Sequence, residues 1–194
     1  MLSSIHPLGE RARNNRWVVT VAAFTLSSMA VAGLVGTGVG AVGGLVAAGW
    51  SEVTRLVATG LVVVVAAMAD LASPPPGPQR QVNEHWIGHY RGWVYGGAFG
   101  AELGAGLATY VVTWTVYAMF AAQVLTAGWE GGLVVGLTFG LGRSLILLAA
   151  GWVDRPSRLT AFHRRLAQLG LPVRRATVGI LGGAGIVAIV GGVL

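Results

Sequence analysis

The chain has 194 residues, 54% hydrophobic and 10% charged, with 31 glycines and no cysteine. A soluble domain carries about 25% charged residues and about 7% glycine, so the composition excludes an ordinary soluble domain, a disordered chain and a collagen-like repeat. It points to an all-α polytopic helical membrane protein, a single transmembrane domain over residues 1–194. The net charge of +6 rests on 13 basic residues, all of them Arg. They lie almost entirely between long apolar runs, the pattern of topology determinants and not of a nucleic-acid groove. Without cysteine there are no disulfides and no thiolate chemistry. Arg without Lys, beside abundant Ala, Gly and Val, suits a high-GC bacterial genome.

The N-terminal arm carries Glu10, Arg11, Arg13 and Arg16 before a long apolar run. That run exceeds the roughly 7–15 residues of a signal-peptide core, so it reads as a retained first span. Five segments reach the roughly 20 apolar residues that cross a bilayer core: 17–48, 54–72, 92–125, 131–151 and 176–194. The first and third are over-long, roughly 48 Å or more as single helices. Each must tilt, project, break at a glycine or hide a hairpin, which makes six crossings a possible count. Five spans place Arg11, Arg13, Arg16, Arg80, Arg91 and the six Arg of 152–175 on one side, with Arg55 on the other. The expected location is a bacterial cytoplasmic (inner) membrane with the N-terminus cytoplasmic. Trp17, Trp50, Trp93, Trp129 and Trp152 mark span ends, where indoles meet the interface. A faint repeat of a two-helix unit, about 16–74 and 92–156, suggests an internal duplication in parallel orientation.

Small residues recur every four positions in four spans. The stripes are Ser28 to Ala48 in the first, Gly92 to Ala108 in the third, Gly128 to Ser144 in the fourth, and Gly179, Gly183 and Gly191 in the last. Residues four apart share a helix face, and small faces let membrane helices approach closely. The same faces also suit helices that hinge or slide. Two ionisable residues fall inside spans, Glu102 and Arg143. A lone charge there costs at least about 2.5–3.5 kcal/mol and seeks a partner, so the two are expected to pair or share a water. Tyr95, Glu102, Thr109 and Thr113 form one polar stripe on the third span. Such a stripe either lines a path through the membrane or holds a structural ion pair among locally bonded hydroxyls.

The connection 74–91 opens with Pro74-Pro75-Pro76-Gly77-Pro78, a stiff non-helical linker. His85 and His89 stand four apart, a weak metal or haem signal without the Glu placement of a zinc protease. An amphipathic interfacial helix over 81–90, with Trp86 and Ile87 in lipid, is the other reading. The connection 152–175 reads as a basic interfacial helix against anionic headgroups. No nucleophile triad, carboxylate pair or phosphate loop stands out, so enzyme activity, a resident cofactor or metal, and nucleic-acid binding are not expected.

Three stretches carry a resemblance: His6-Pro7-Leu8-Gly9-Glu10-Arg11, Arg91-Gly92-Trp93-Val94-Tyr95-Gly96 and Phe139-Gly140-Leu141-Gly142-Arg143. They resemble a group of polytopic membrane proteins of high-GC bacteria. That group is loosely similar to the transmembrane electron-relay proteins of cytochrome c biogenesis (the DsbD and CcdA type) and to small exporters. The relay family implies two electron-shuttling cysteines, and this chain has none, so no relay residue carries over. Two functions follow as expectations. One is a permease or exporter for a small solute or ion, with a path through Tyr95, Glu102, Thr109, Thr113 and Arg143. The other is a non-catalytic membrane subunit that anchors or assembles a larger redox or cofactor-maturation complex, through other membrane helices or a homo-oligomer.

Overall fold

A computed structural model of the chain describes residues 5–77, 85–107 and 111–193, and within them every regular element is helical. The order is α1 (Pro7–Ala12), α2 (Trp17–Val46), α3 (Glu52–Ala72), α4 (Trp86–His89), α5 (Gly92–Gly104), α6 (Thr115–Leu125), α7 (Trp129–Ala149) with a tight turn Ala150–Trp152, and α8 (Pro156–Val193). Local chemistry sets several ends. His6 Nδ1 accepts from the Gly9 amide at 3.1 Å and caps α1, and Pro7 suits its first turn. Ser51 Oγ accepts from Thr54 N at 3.1 Å and caps α3. α3 stops just before Pro74-Pro75-Pro76, which cannot supply helix amides.

Among the described residues four helices are long and apolar enough to cross a membrane: α2, α3, α7 with its turn, and α8. Their outer faces stay apolar, with Leu26 and Leu34 on α2, Val65 on α3 and Val187 on α8 exposed. A helix apolar on all sides belongs inside a bilayer. The chain is therefore an all-α polytopic membrane protein.

Small residues hold the bundle together. α2 and α7 run antiparallel, Ser28, Ala32, Gly36 and Gly40 facing Gly140, Gly136, Gly132 and Gly128. A Cβ on Gly140 would lie 2.6 Å from the Ser28 carbonyl oxygen, closer than real Cβ atoms come. The Ser28 hydroxyl donates to the Gly140 carbonyl across this seam at 3.2 Å. α5 runs parallel to α2, with Gly96, Gly100 and Gly104 against Thr20, Phe24 and Ser28. α3 and α8 form a second antiparallel pair, where Gly60 meets Gly185 and Gly192 meets Val57.

One alternative is decided and two expectations need correction. Of the readings open to the over-long segment 92–125, the structure has the break: it is α5 and α6. Gly92 at the start of α5 meets Thr20, and Val124 at the end of α6 meets Gly43. The pair thus runs the length of α2 as one crossing in two pieces. The basic connection and the last span are not separate, because α8 continues through Pro172 for 38 residues. Finally, Gly179, Gly183 and Gly191 meet nothing within 4 Å; α8 packs through Gly185 and Gly192 instead. Those two are seven apart and share a face, so α8 uses a wider register than four.

Candidate functional site

The break in the third crossing gathers the polar groups that the apolar spans otherwise avoid. α5 ends at Gly104, and Gly106 turns the chain with φ +78°. Glycine reaches this left-handed region without steric cost. The rings of Phe120 and Phe139 flank Gly106 at 3.1 and 3.7 Å from where a Cβ would stand. The chain enters α6 through Val111-Val112-Thr113, β-branched residues with little preference for helix.

α6 has 11 residues and is about 17 Å long, against about 45 Å for the 30 residues of α2. Its N-terminus therefore lies part-way along α2. Asp70, near the end of α3, closes that terminus. Its Oδ1 accepts from the Trp114 amide at 2.7 Å, and its Oδ2 from the Thr115 hydroxyl at 3.2 Å. A carboxylate satisfies the orphan amides there and meets the positive end of the helix dipole. Thr113 Oγ1 accepts from the Thr115 amide at 2.9 Å. The Trp114 indole donates to the Ser73 carbonyl at 3.0 Å, and the Tyr117 hydroxyl donates to the Pro76 carbonyl. From α8, the Arg174 guanidinium donates to the main-chain carbonyl of Asp70. A cavity of about 440 Å³ lies here, lined by Asp70, Ser73, Val112, Thr113, Arg174 and Thr177 among others.

The anticipated stripe does not run as one line. Tyr95 lies at the opposite end of α5, fully buried, and its hydroxyl donates to Glu10. Glu10 is also fully buried, accepting from Thr20 Oγ1 at 2.9 Å and from Arg13 Nη2 at 2.5 Å. This cluster locks α1 onto the start of α2 and α5. Glu102 is half-buried, one turn before the break. It forms no ion pair or hydrogen bond with any described residue, Arg143 included. Arg143 instead lies over the Phe139 ring, 4.8 Å from its centroid, and the Phe139 ring in turn stands beside Gly106. Thr109 lies outside the described residues. Thr113 lines the cavity. His85 precedes the four-residue α4 and His89 ends it, and the Nδ1 of His89 is 2.8 Å from the His85 carbonyl. Among the described residues no group of three or more His, Cys, Asp or Glu is placed to hold a metal. Of the expected interfacial helix, residues 81–84 lie outside the described residues, and the helical part is α4 alone.

Sequence reasoning missed Asp70, Arg174, Glu10 and Gln123. Asp70 stood at a span end, where a carboxylate is commonplace, so its partner in another span was invisible. Gln123 on α6 is fully buried against Gly36, and its side-chain amide has no hydrogen-bond partner among the described residues. Burying an unpaired amide costs about 1–3 kcal/mol, so α6 carries polarity from the cavity into the α2–α7 seam. Compared with protein-family models, curated proteins and solved structures, the chain matches none. The functional reading therefore rests on this geometry.

Proposed function

We propose that the protein is a non-enzymatic permease or exporter for a small solute or ion, and that the break between α5 and α6 is its working site. One observation carries the reading: a half-helix N-terminus part-way along α2, held by Asp70, beside a cavity of about 440 Å³. A continuous span has no helix end in the membrane, whereas a broken one brings a helix terminus and loose backbone to a solute part-way across. Arg174 supplies positive charge at the cavity wall, and Asp70 supplies a carboxylate whose grip on α6 a solute can weaken. Glu102 and Arg143 stand on the α5 side of the same break and belong to its surroundings.

The test is flux in proteoliposomes over a panel of small ions and zwitterions, namely phosphate, nitrate, potassium and glycine. At least one is expected to move faster than in empty liposomes. Arg174→Ala is expected to cut that flux about tenfold, the loss of one charge-assisted contact, with the melting temperature held. Asp70→Asn is expected to do the same. Flux equal to empty liposomes for the whole panel, with a second protein copurifying at one-to-one stoichiometry, would favour the anchoring-subunit reading instead.

A further inference from the structure

Two cavities meet on the outer side of α2, away from the break, and together they have the chemistry of a phospholipid. The first, about 680 Å³, opens between α1, the start of α2, the turn Ala150–Trp152 and the start of α8. Arg11, Arg16 and Arg158 line it, opposed by one carboxylate, Asp154. Arg158 is engaged: its Nη1 lies 3.0 Å from Asp154 Oδ1 and donates to the Trp152 carbonyl at 3.2 Å. Arg11 and Arg16 are exposed, and neither side chain is bonded to any described residue.

The second cavity, about 390 Å³, continues from the first along α2 and shares Trp17 and Val18 with it. Its walls are apolar but for Thr25: Val21, Ala22 and Leu26 of α2 and Leu148 of α7. From Trp17 to Leu26 it runs about 14 Å, close to one leaflet of a core about 30 Å thick. Trp17 stands at the junction, its indole N–H buried and without a partner among the described residues. An indole at a polar–apolar boundary reaches for the headgroup level.

We propose that this paired site holds one anionic phospholipid, its phosphate between Arg11 and Arg16 and one acyl chain in the groove from Val18 to Leu26. A free phosphate satisfies the first cavity alone; the apolar groove joined to it is what selects a lipid. Basic pockets between membrane helices take anionic headgroups by this combination of charge and apolar flank.

Native mass spectrometry of the full chain in mild detergent tests it, with phosphatidylglycerol and phosphatidylcholine of equal chain length, and inorganic phosphate as a separate arm. Phosphatidylglycerol is expected to be retained about tenfold over phosphatidylcholine. Arg11→Ala and Arg16→Ala are each expected to lower that retention about fivefold, without a change in melting temperature. Ala22→Trp, at an exposed position, is expected to fill the groove and weaken the lipid while leaving inorganic phosphate untouched. Equal retention of the two lipids overturns the proposal. So does competition by inorganic phosphate with no effect of Ala22→Trp, which would assign the cavity to the free ion.

Discussion

α2 and the α5 half of the third crossing both carry a small residue every four positions, and both crossings traverse the bundle, yet only α2 is continuous. Glycine content does not separate them. The difference lies in what each glycine face packs on. Gly104 of α5 and Gly140 of α7 both press on the Ser28 carbonyl. At that level both helices touch α2, and α7 follows α2 onward through Ala32, Gly36 and Gly40. Beyond Gly104 the third crossing meets α2 again through α6, where Val124 presses on Gly43. Between the two, Gly106 turns the chain, and Asp70 supplies the cap that lets α6 start afresh. α2 is gripped along its length by α7, whereas the third crossing meets α2 in two pieces, joined where Gly106 permits the turn.

The largest effect should come from breaking the seam that keeps α2 whole. A side chain on Gly36 collides with the Gly132 carbonyl, while Gly38 on the outer face meets nothing within 4 Å. Gly36→Leu should cost about 3 kcal/mol or more, since two packed backbones must part. Gly38→Leu should fold as well as the parent. Denaturant titration in detergent checks the pair, and equal stability of both variants would show that the seam does not hold α2.

Next comes the cap that makes the break. Asp70→Ala removes the acceptor for the Trp114 amide and should cost about 1–2 kcal/mol. Asp70→Asn keeps an oxygen acceptor and should recover most of that loss, while still lacking the charge that the proposed transport uses. Parallel melting and flux measurements separate the two roles. A stability loss in Asp70→Asn as large as in Asp70→Ala would mean that charge, not capping, holds α6.

Much of the architecture was legible because membrane helices advertise themselves. Length, apolarity and the four-residue spacing named the faces of α2, α5 and α7 that pack. Length alone allows a break at a glycine in 92–125; its place was not legible, because Gly106 stands off the four-residue stripe and the acceptor for the Trp114 amide lies 44 residues away on α3. The expected link of Glu102 with Arg143 rested on two charges on the same side of the membrane centre, an offset that a long Arg side chain could bridge. Depth does not fix azimuth, and the flat face of Phe139 offered Arg143 a nearer partner. Glu10 was read with the basic arm around it, though it is the acceptor that ties that arm to Thr20 and Tyr95.

A smaller change tests whether the break itself needs glycine. Gly106→Ala places a Cβ at φ +78° against Phe120 and should cost about 1–2 kcal/mol. Hydrogen exchange should then quicken around Gly106 and at the start of α6, while the α2–α7 seam stays protected. Exchange unchanged at the break would mean that the turn tolerates L side chains and that Asp70 alone sets it.

The smallest effect belongs to the closed end of α5, where α1 is clamped by Glu10. His6 is buried, and its Nδ1 must be unprotonated to accept from Gly9. Burial lowers its pKa below the usual 6.5; the charges of Arg13 and His163 lower it further, and Glu10 opposes them. The folded state thus favours neutral His6 more than the unfolded chain does. Its contribution is complete above pH 6.5 and declines as pH falls below that value. Between pH 7.5 and 5.5, exchange should quicken in α1 and at the first turn of α5, with the Asp70 cap unaffected. His6→Asn keeps a capping side chain that does not titrate, so its α1 should show no such change. An equal acid response in His6→Asn would move the switch from His6 to another group at that end.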